Sequence, residues 1–123
     1  MVYFSCAMDN TNQEGLDIVS KQIQMKKGLL EFSILLTISQ RKVYASEIID
    51  EMRKADLIVV EGTLYPILSR IKNAQLIHYE WVESESGPPR KYYTLTDKGR
   101  ETLQKLRETW EQLSQSVHKL EQK

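Results

Sequence analysis

Apolar positions along the chain change period several times, and each change marks an element. Leu16, Val19 and Ile23, then the dense run Leu29, Leu30, Phe32, Leu35, Leu36 and Ile38, keep the three-to-four spacing of a helix face. They predict a buried helix over residues 14–39, with Lys26, Lys27 and Glu31 on its polar side. Gly28 lies inside it as a point where it can weaken or bend. Residues 40–45 break the pattern. Ser46 then offers an N-cap and Glu47 an acid for the first turn of a second helix, with Ile48, Ile49 and Met52 as its apolar face. That helix should end near Lys54 or Ala55. The apolar residues 57–60 predict a packed connection. A third helix is expected over residues 64–73, capped by Thr63, with Pro66 in its first turn, where an N–H has no partner to lose. At about 100° per residue, Leu64, Ile67, Leu68 and Ile71 share a core arc, and Tyr65, Pro66, Ser69, Arg70 and Asn73 share the opposite one.

The period then shortens. Residues 76–83 are rich in β-branched and aromatic types, residues 84–89 have the composition of a turn, and residues 90–95 read as a returning strand. Thr96 can cap a last helix whose first turn holds Asp97. Along that helix Leu103, Leu106, Trp110, Leu113, Val117 and Leu120 recur at alternating spacings of three and four. This is the seam of helices that pair, so it predicts a homodimer; the other reading is a helix folded back on its own domain. Residues 1–13 have neither period and read as a flexible tail, and Met8 and Met25 could also serve as starts. The expected organisation is thus a tail (1–13), a globular unit (14–95) and a terminal helix (96–123).

Charge changes this picture little. The chain carries 17 basic and 17 acidic residues, for a net charge of zero. Residues 1–25 are acidic on balance, whereas Arg90, Lys91, Lys98 and Arg100 meet only Asp97 between Ser86 and Arg100. A local basic patch of this kind can bind phosphate without a basic whole. The single cysteine, Cys6, excludes an intrachain disulfide, and His78 and His118 stand too far apart in sequence to suggest a metal site. No cofactor is implied. No apolar run reaches the roughly 18 residues of a membrane span, and the extreme N-terminus lacks a basic signal-peptide region, so a cytoplasmic protein is expected. There is no Gly-rich phosphate loop, no nucleophile–histidine–acid set and no carboxylate pair, which argues against an enzyme.

Three helices followed by a two-stranded hairpin describe a mainly α fold with a small β element, the winged helix-turn-helix arrangement, extended here by a coiled-coil-like dimerisation helix. The third helix is narrow enough for a DNA major groove, and the hairpin can reach the neighbouring backbone. Tyr65, Ser69 and Arg70 are the candidate contacts on the exposed arc, with Lys72 at its edge suited to phosphate. Thr63 fits either a cap or a DNA contact. Arg90 and Lys91, beside the Gly-Pro-Pro turn, are candidate phosphate contacts. Tyr92 and Tyr93 alternate, so one should face the core, and Trp81 is expected there too. The alternative function is a winged-helix protein-interaction module without DNA.

The stretch Gly62-Thr63-Leu64-Tyr65-Pro66-Ile67-Leu68-Ser69-Arg70-Ile71, the segment Arg90-Lys91-Tyr92-Tyr93-Thr94-Leu95-Thr96-Asp97-Lys98-Gly99 and the opening Lys27-Gly28-Leu29-Leu30-Glu31 resemble the PadR family of transcriptional regulators. The resemblance spans roughly residues 25–119 and is similar to the compact subgroup with a single C-terminal helix. It implies a homodimeric repressor bound to double-stranded DNA at an inverted-repeat operator. It also implies a planar aromatic effector held between tryptophans of the paired helices, for which Trp110 is the matching ligand-binding position. One turn later, where a relative can carry an acid, stands Ser114, which departs from a site for cationic ligands.

Overall fold

A computed structural model describes residues 2–4 and 18–122. In chain order the elements are β1 (Val2–Phe4), α1 (Ile18–Gln40), α2 (Ala45–Lys54), β2 (Leu57–Val59), α3 (Glu61–Asn73), β3 (Ile77–Ser84), β4 (Gly87–Leu95) and α4 (Asp97–Glu121). The expected start of the first helix, residues 14–17, lies outside the described residues. From Ile18 the helix runs unbroken through Gly28. Its second half buries Leu30, Phe32, Ile34, Leu35 and Ile38. These pack with Ile48 and Met52 of α2, Leu64, Ile67, Leu68 and Ile71 of α3, Ile77, Tyr93 and Leu95 of the hairpin, and Leu103 of α4. Among the described residues, every buried side-chain nitrogen or oxygen has a hydrogen-bond partner.

Three helix and strand limits differ from those read in the sequence. Tyr44, not Ser46, is the N-cap of α2. The Glu47 carboxylate reaches back to accept the Tyr44 backbone N–H at 3.2 Å, which moves the start of the helix earlier and leaves Ser46 inside its first turn. The third helix starts at Glu61, with Val60 as its extended cap. The preceding residues are held in β2, so the chain turns into the helix as soon as that strand ends. Thr63 therefore lies in the first turn, 6% exposed, and does not cap it. Pro66 falls in the second turn. It stands on the solvent side of the helix, where water can serve the backbone in place of the lost bond. Finally, Pro88 and Pro89 belong to β4 rather than to the turn, which shrinks to Glu85 and Ser86. Proline is tolerated there because the outer edge of β4 is bridged by Val43 at Tyr93, well away from the tip. A register shift between Val82 and Ser84 absorbs the extra residue.

Residues 1–13 had shown no strand period, yet Val2–Phe4 pair in parallel with Leu57–Val59. Three residues are too few for an alternation to be read. Of the connection expected to pack at 57–60, Val59 is buried and Leu57 packs against the core, whereas Val60 is 53% exposed and caps α3.

The junction of α3, the hairpin and α4 is backbone against backbone. Gln75 adopts φ 66°, and the N–H groups of Gln75 and Leu76 return to the carbonyls of Lys72 and Ile71, closing α3 with a left-handed cap. The Leu76 carbonyl accepts the Thr96 N–H at 3.0 Å. Thr96 caps α4 as predicted, accepting the Gly99 N–H at 2.9 Å, and its hydroxyl donates to the Gln75 carbonyl at 2.7 Å. Gly99 is buried directly over the Leu76 carbonyl.

Past its first turns α4 leaves the core. Leu103 is only 5% exposed, and Leu106 packs against the core from its margin. Trp110, Leu113, Val117 and Leu120 are all exposed on the single chain.

Candidate nucleic-acid interface

The heptad of core positions in α3 leaves Tyr65, Pro66, Ser69, Arg70, Lys72 and Asn73 facing outward. Thr63 points the other way. Arg70 Nη2 stands 3.8 Å from Glu31 Oε1 of α1, an exposed pair of the kind that contributes little to stability and leaves the guanidinium free to turn outward. Lys72 leans towards the hairpin, its Nζ 5.4 Å from the centre of the Tyr79 ring.

Pairing of β3 with β4 brings the hairpin cations to the same side as the start of α3. Arg90 lies over the Tyr44 ring, with Cζ 4.4 Å from its centre. Lys91 Nζ is 4.4 Å from the Tyr79 ring centre and 5.4 Å from that of Trp81. Contacts of this sort give each cation a preferred place at the surface for about 0.5–1 kcal/mol. Tyr65, Arg90 and Lys91 line one cleft of about 390 Å³, together with Tyr44, Ala45, Ser46, Trp81 and Tyr93. Its lining holds two cations and no carboxylate. Ser69, Arg70 and Lys72 lie further along α3, outside this cleft.

The two wing tyrosines divide as the alternation predicts. Tyr93 is buried, and burial, with the nearby phenols of Tyr65 and Tyr79, pushes its ionisation above the usual tyrosine range. Tyr92 is half-buried and meets Tyr44 edge-on at 5.2 Å. Trp81, by contrast, is not in the core: it is 62% exposed. Of the other cleft residues, sequence patterning assigned Ser46 to a helix cap and Trp81 to the core, and did not single out Tyr44. An aromatic directly before the second helix was the one available signal for Tyr44.

A second cleft, of about 420 Å³, lies between α1 and α4. Trp110, 47% exposed, lines it with Phe32, Leu36, Gln104, Arg107, Glu108 and Glu111. Among the described residues no group of acidic, histidine or cysteine side chains could hold a metal ion, and no helix is long and apolar enough to cross a membrane.

A three-helix body, an exposed polar arc on its third helix and a cationic two-stranded wing beside that arc define a winged helix-turn-helix protein. The sequence profile of the transcriptional regulator PadR-like family matches residues 34–105, more than half of the chain. The chain belongs to this family, and the protein is a transcriptional regulator rather than an enzyme. It is similar to the solved structure of a PadR-like transcription factor from Bacteroides fragilis, at 51% identity and a TM-score of 0.71, over 85% of this chain and 99% of that one. A PadR-like transcriptional regulator from Bacillus cereus shares 41% identity with a TM-score of 0.74, covering 81% of this chain and 98% of its own. A transcriptional regulator from Streptococcus shares 34% with a TM-score of 0.73, covering 80% and 97%.

Proposed function

We propose that this protein is a sequence-specific repressor that binds an inverted-repeat operator as a homodimer and is released by a planar aromatic compound. The observation that carries the DNA-binding half is the cleft that Tyr65 at the start of α3 shares with Arg90 and Lys91 of the wing, with exposed Ser69 and Arg70 further along the same helix. The helix supplies hydrogen-bonding and cationic groups for base edges in a major groove, and the wing cations neutralise the adjoining phosphates. The exposed half of the α4 seam supports pairing, since four large apolar side chains in a row are otherwise left to water. In such a dimer the two α3 helices would meet successive major grooves about 34 Å apart, on half-sites about 10 bp apart.

Fluorescence anisotropy with the intergenic duplex upstream of the gene, against a scrambled duplex at two salt concentrations, tests this reading. Tight, selective and salt-sensitive binding is expected. Equal and weak binding to both duplexes would favour a protein-interaction module instead. Arg70→Ala should lower affinity for the selected duplex by roughly 10- to 100-fold and relax preference at one base position, as expected for loss of a base contact. An Arg70→Ala protein that keeps full affinity and full selectivity would remove Arg70 from the interface.

The effector half rests on Trp110. A large indole in a helix seam holds the helices apart and leaves room beside it, and the cleft with Phe32 and Leu36 is apolar on one side. A ligand there releases DNA only if it binds better to a dimer with the wrong helix spacing. Trp110→Ala should abolish release by planar aromatic compounds while DNA binding persists. An undiminished inducer response in that variant would exclude a Trp110 platform.

A further inference from the structure

The reading as a DNA-binding repressor leaves Trp81 without a task. On β3, Ile77, Tyr79 and Trp81 point to one face, and their partners Leu95, Tyr93 and Lys91 on β4 point to the same face. Ile77, Tyr93 and Leu95 are buried under the helices, and Tyr79 packs at the margin of the core. Trp81 stands one step further out. The core face of the hairpin thus overhangs the helical body from the cross-strand pair Trp81 and Lys91 outward, with exposed Glu83 two residues further along β3. The indole is nonetheless held: Tyr79 meets it edge-on at 6.2 Å, and the Lys91 ammonium lies 5.4 Å from its ring. A fixed, exposed indole is an unusual expenditure of apolar surface, and such surface commonly marks an interaction site.

The surroundings say what would cover it. Trp81 shares its cleft with Tyr65 of the DNA-facing helix and with Arg90 and Lys91, and no carboxylate lines that cleft. An apolar plate beside Lys91, in a cleft that Arg90 also lines, matches the chemistry of a DNA backbone, where deoxyribose C–H surface alternates with phosphate. We propose that Trp81 packs against a deoxyribose of the strand seated between α3 and the wing, with Arg90 and Lys91 on the flanking phosphates. This inference rests on the DNA-binding reading, and it adds an apolar, salt-independent contact to an otherwise electrostatic wing.

The two kinds of contact respond differently to salt. Removing a phosphate-bound cation lowers the slope of log affinity against log salt by about one. Removing Trp81 should lower affinity about tenfold at every salt concentration, by loss of buried apolar area alone, and leave the slope unchanged. Trp81→Ala and Trp81→Phe, made in the full chain, are compared with the unaltered protein on the same upstream duplex. Thermal unfolding checks that both variants fold, and the phenylalanine variant should recover most of the affinity. Hydroxyl-radical cleavage, which attacks exposed deoxyribose, gives an independent view. Trp81→Ala should lose protection at one or two sugars beside each half-site and keep the rest of the footprint. Full affinity, or an unchanged footprint, in a folded Trp81→Ala protein overturns the proposal while leaving the DNA-binding reading intact. A changed salt slope overturns it too, since Trp81 would then act only by steering Lys91. Failure of the unaltered protein to select any duplex overturns both.

Discussion

Alanine at position 99 is expected to destabilise the fold by about 3 kcal/mol or more, the upper range for overpacking a closed site. A Cβ built on Gly99 runs into the carbonyl oxygen of Leu76, with that residue's carbonyl carbon and Cα close behind. These are backbone atoms, so no rotamer change relieves the collision. Nor can the backbone withdraw cheaply. The Leu76 carbonyl is held by the Thr96 N–H, the Leu76 N–H by the Ile71 carbonyl, and the Gly99 N–H by the Thr96 hydroxyl. Opening the gap would separate the first turn of α4 from the end of α3 and pull Leu103 out of the core. Urea unfolding at one fixed protein concentration measures the effect, so that any pairing of the chain bears equally on both proteins. A Gly99→Ala protein with an unaltered unfolding midpoint would mean that α4 does not dock on the Leu76 carbonyl.

Glutamate at both Leu113 and Val117 should have the opposite signature: a stable fold and a lost assembly. Both residues are more than half exposed on the single chain, so placing charge there costs the monomer little. In a paired helix the same two carboxylates would be buried in an apolar seam without partners, which is strongly unfavourable. Sedimentation should show a monomer, and a single half-site would then have to bind alone. Losing the second, effectively intramolecular, contact should weaken operator binding by about 100-fold or more. A double variant that still sediments as a dimer would move the interface away from the outer half of α4. Substituting Leu103 is no substitute for this experiment, because that side chain is buried in its own domain.

Much of the site was legible in the chain. The core arc of α3, the outward positions of Tyr65, Ser69 and Arg70, and the cap at Thr96 all follow from periodicity and capping chemistry, which act over one or two turns. The paired strands followed from composition. Errors arose where the deciding contact was distant. Thr63 appeared to be a cap because nothing local shows that β2 delivers the chain into the helix at Glu61. Pro88 and Pro89 looked like turn residues because the free outer edge of β4 and the shift after Val82 exist only in the folded hairpin.

What the sequence by itself determined, then, is the order of elements and the face to which each side chain points, since both are properties of local backbone geometry. Only the tertiary structure decided how far the covering body extends over each face. Trp81 points to the core side of its strand, as alternation requires, but the helices end before they reach it. Leu103 and Leu113 occupy one seam at one spacing, yet the first is covered by its own domain and the second is not. A period records direction, whereas burial depends on which other element arrives opposite, and that is settled by packing between parts of the chain far apart in sequence.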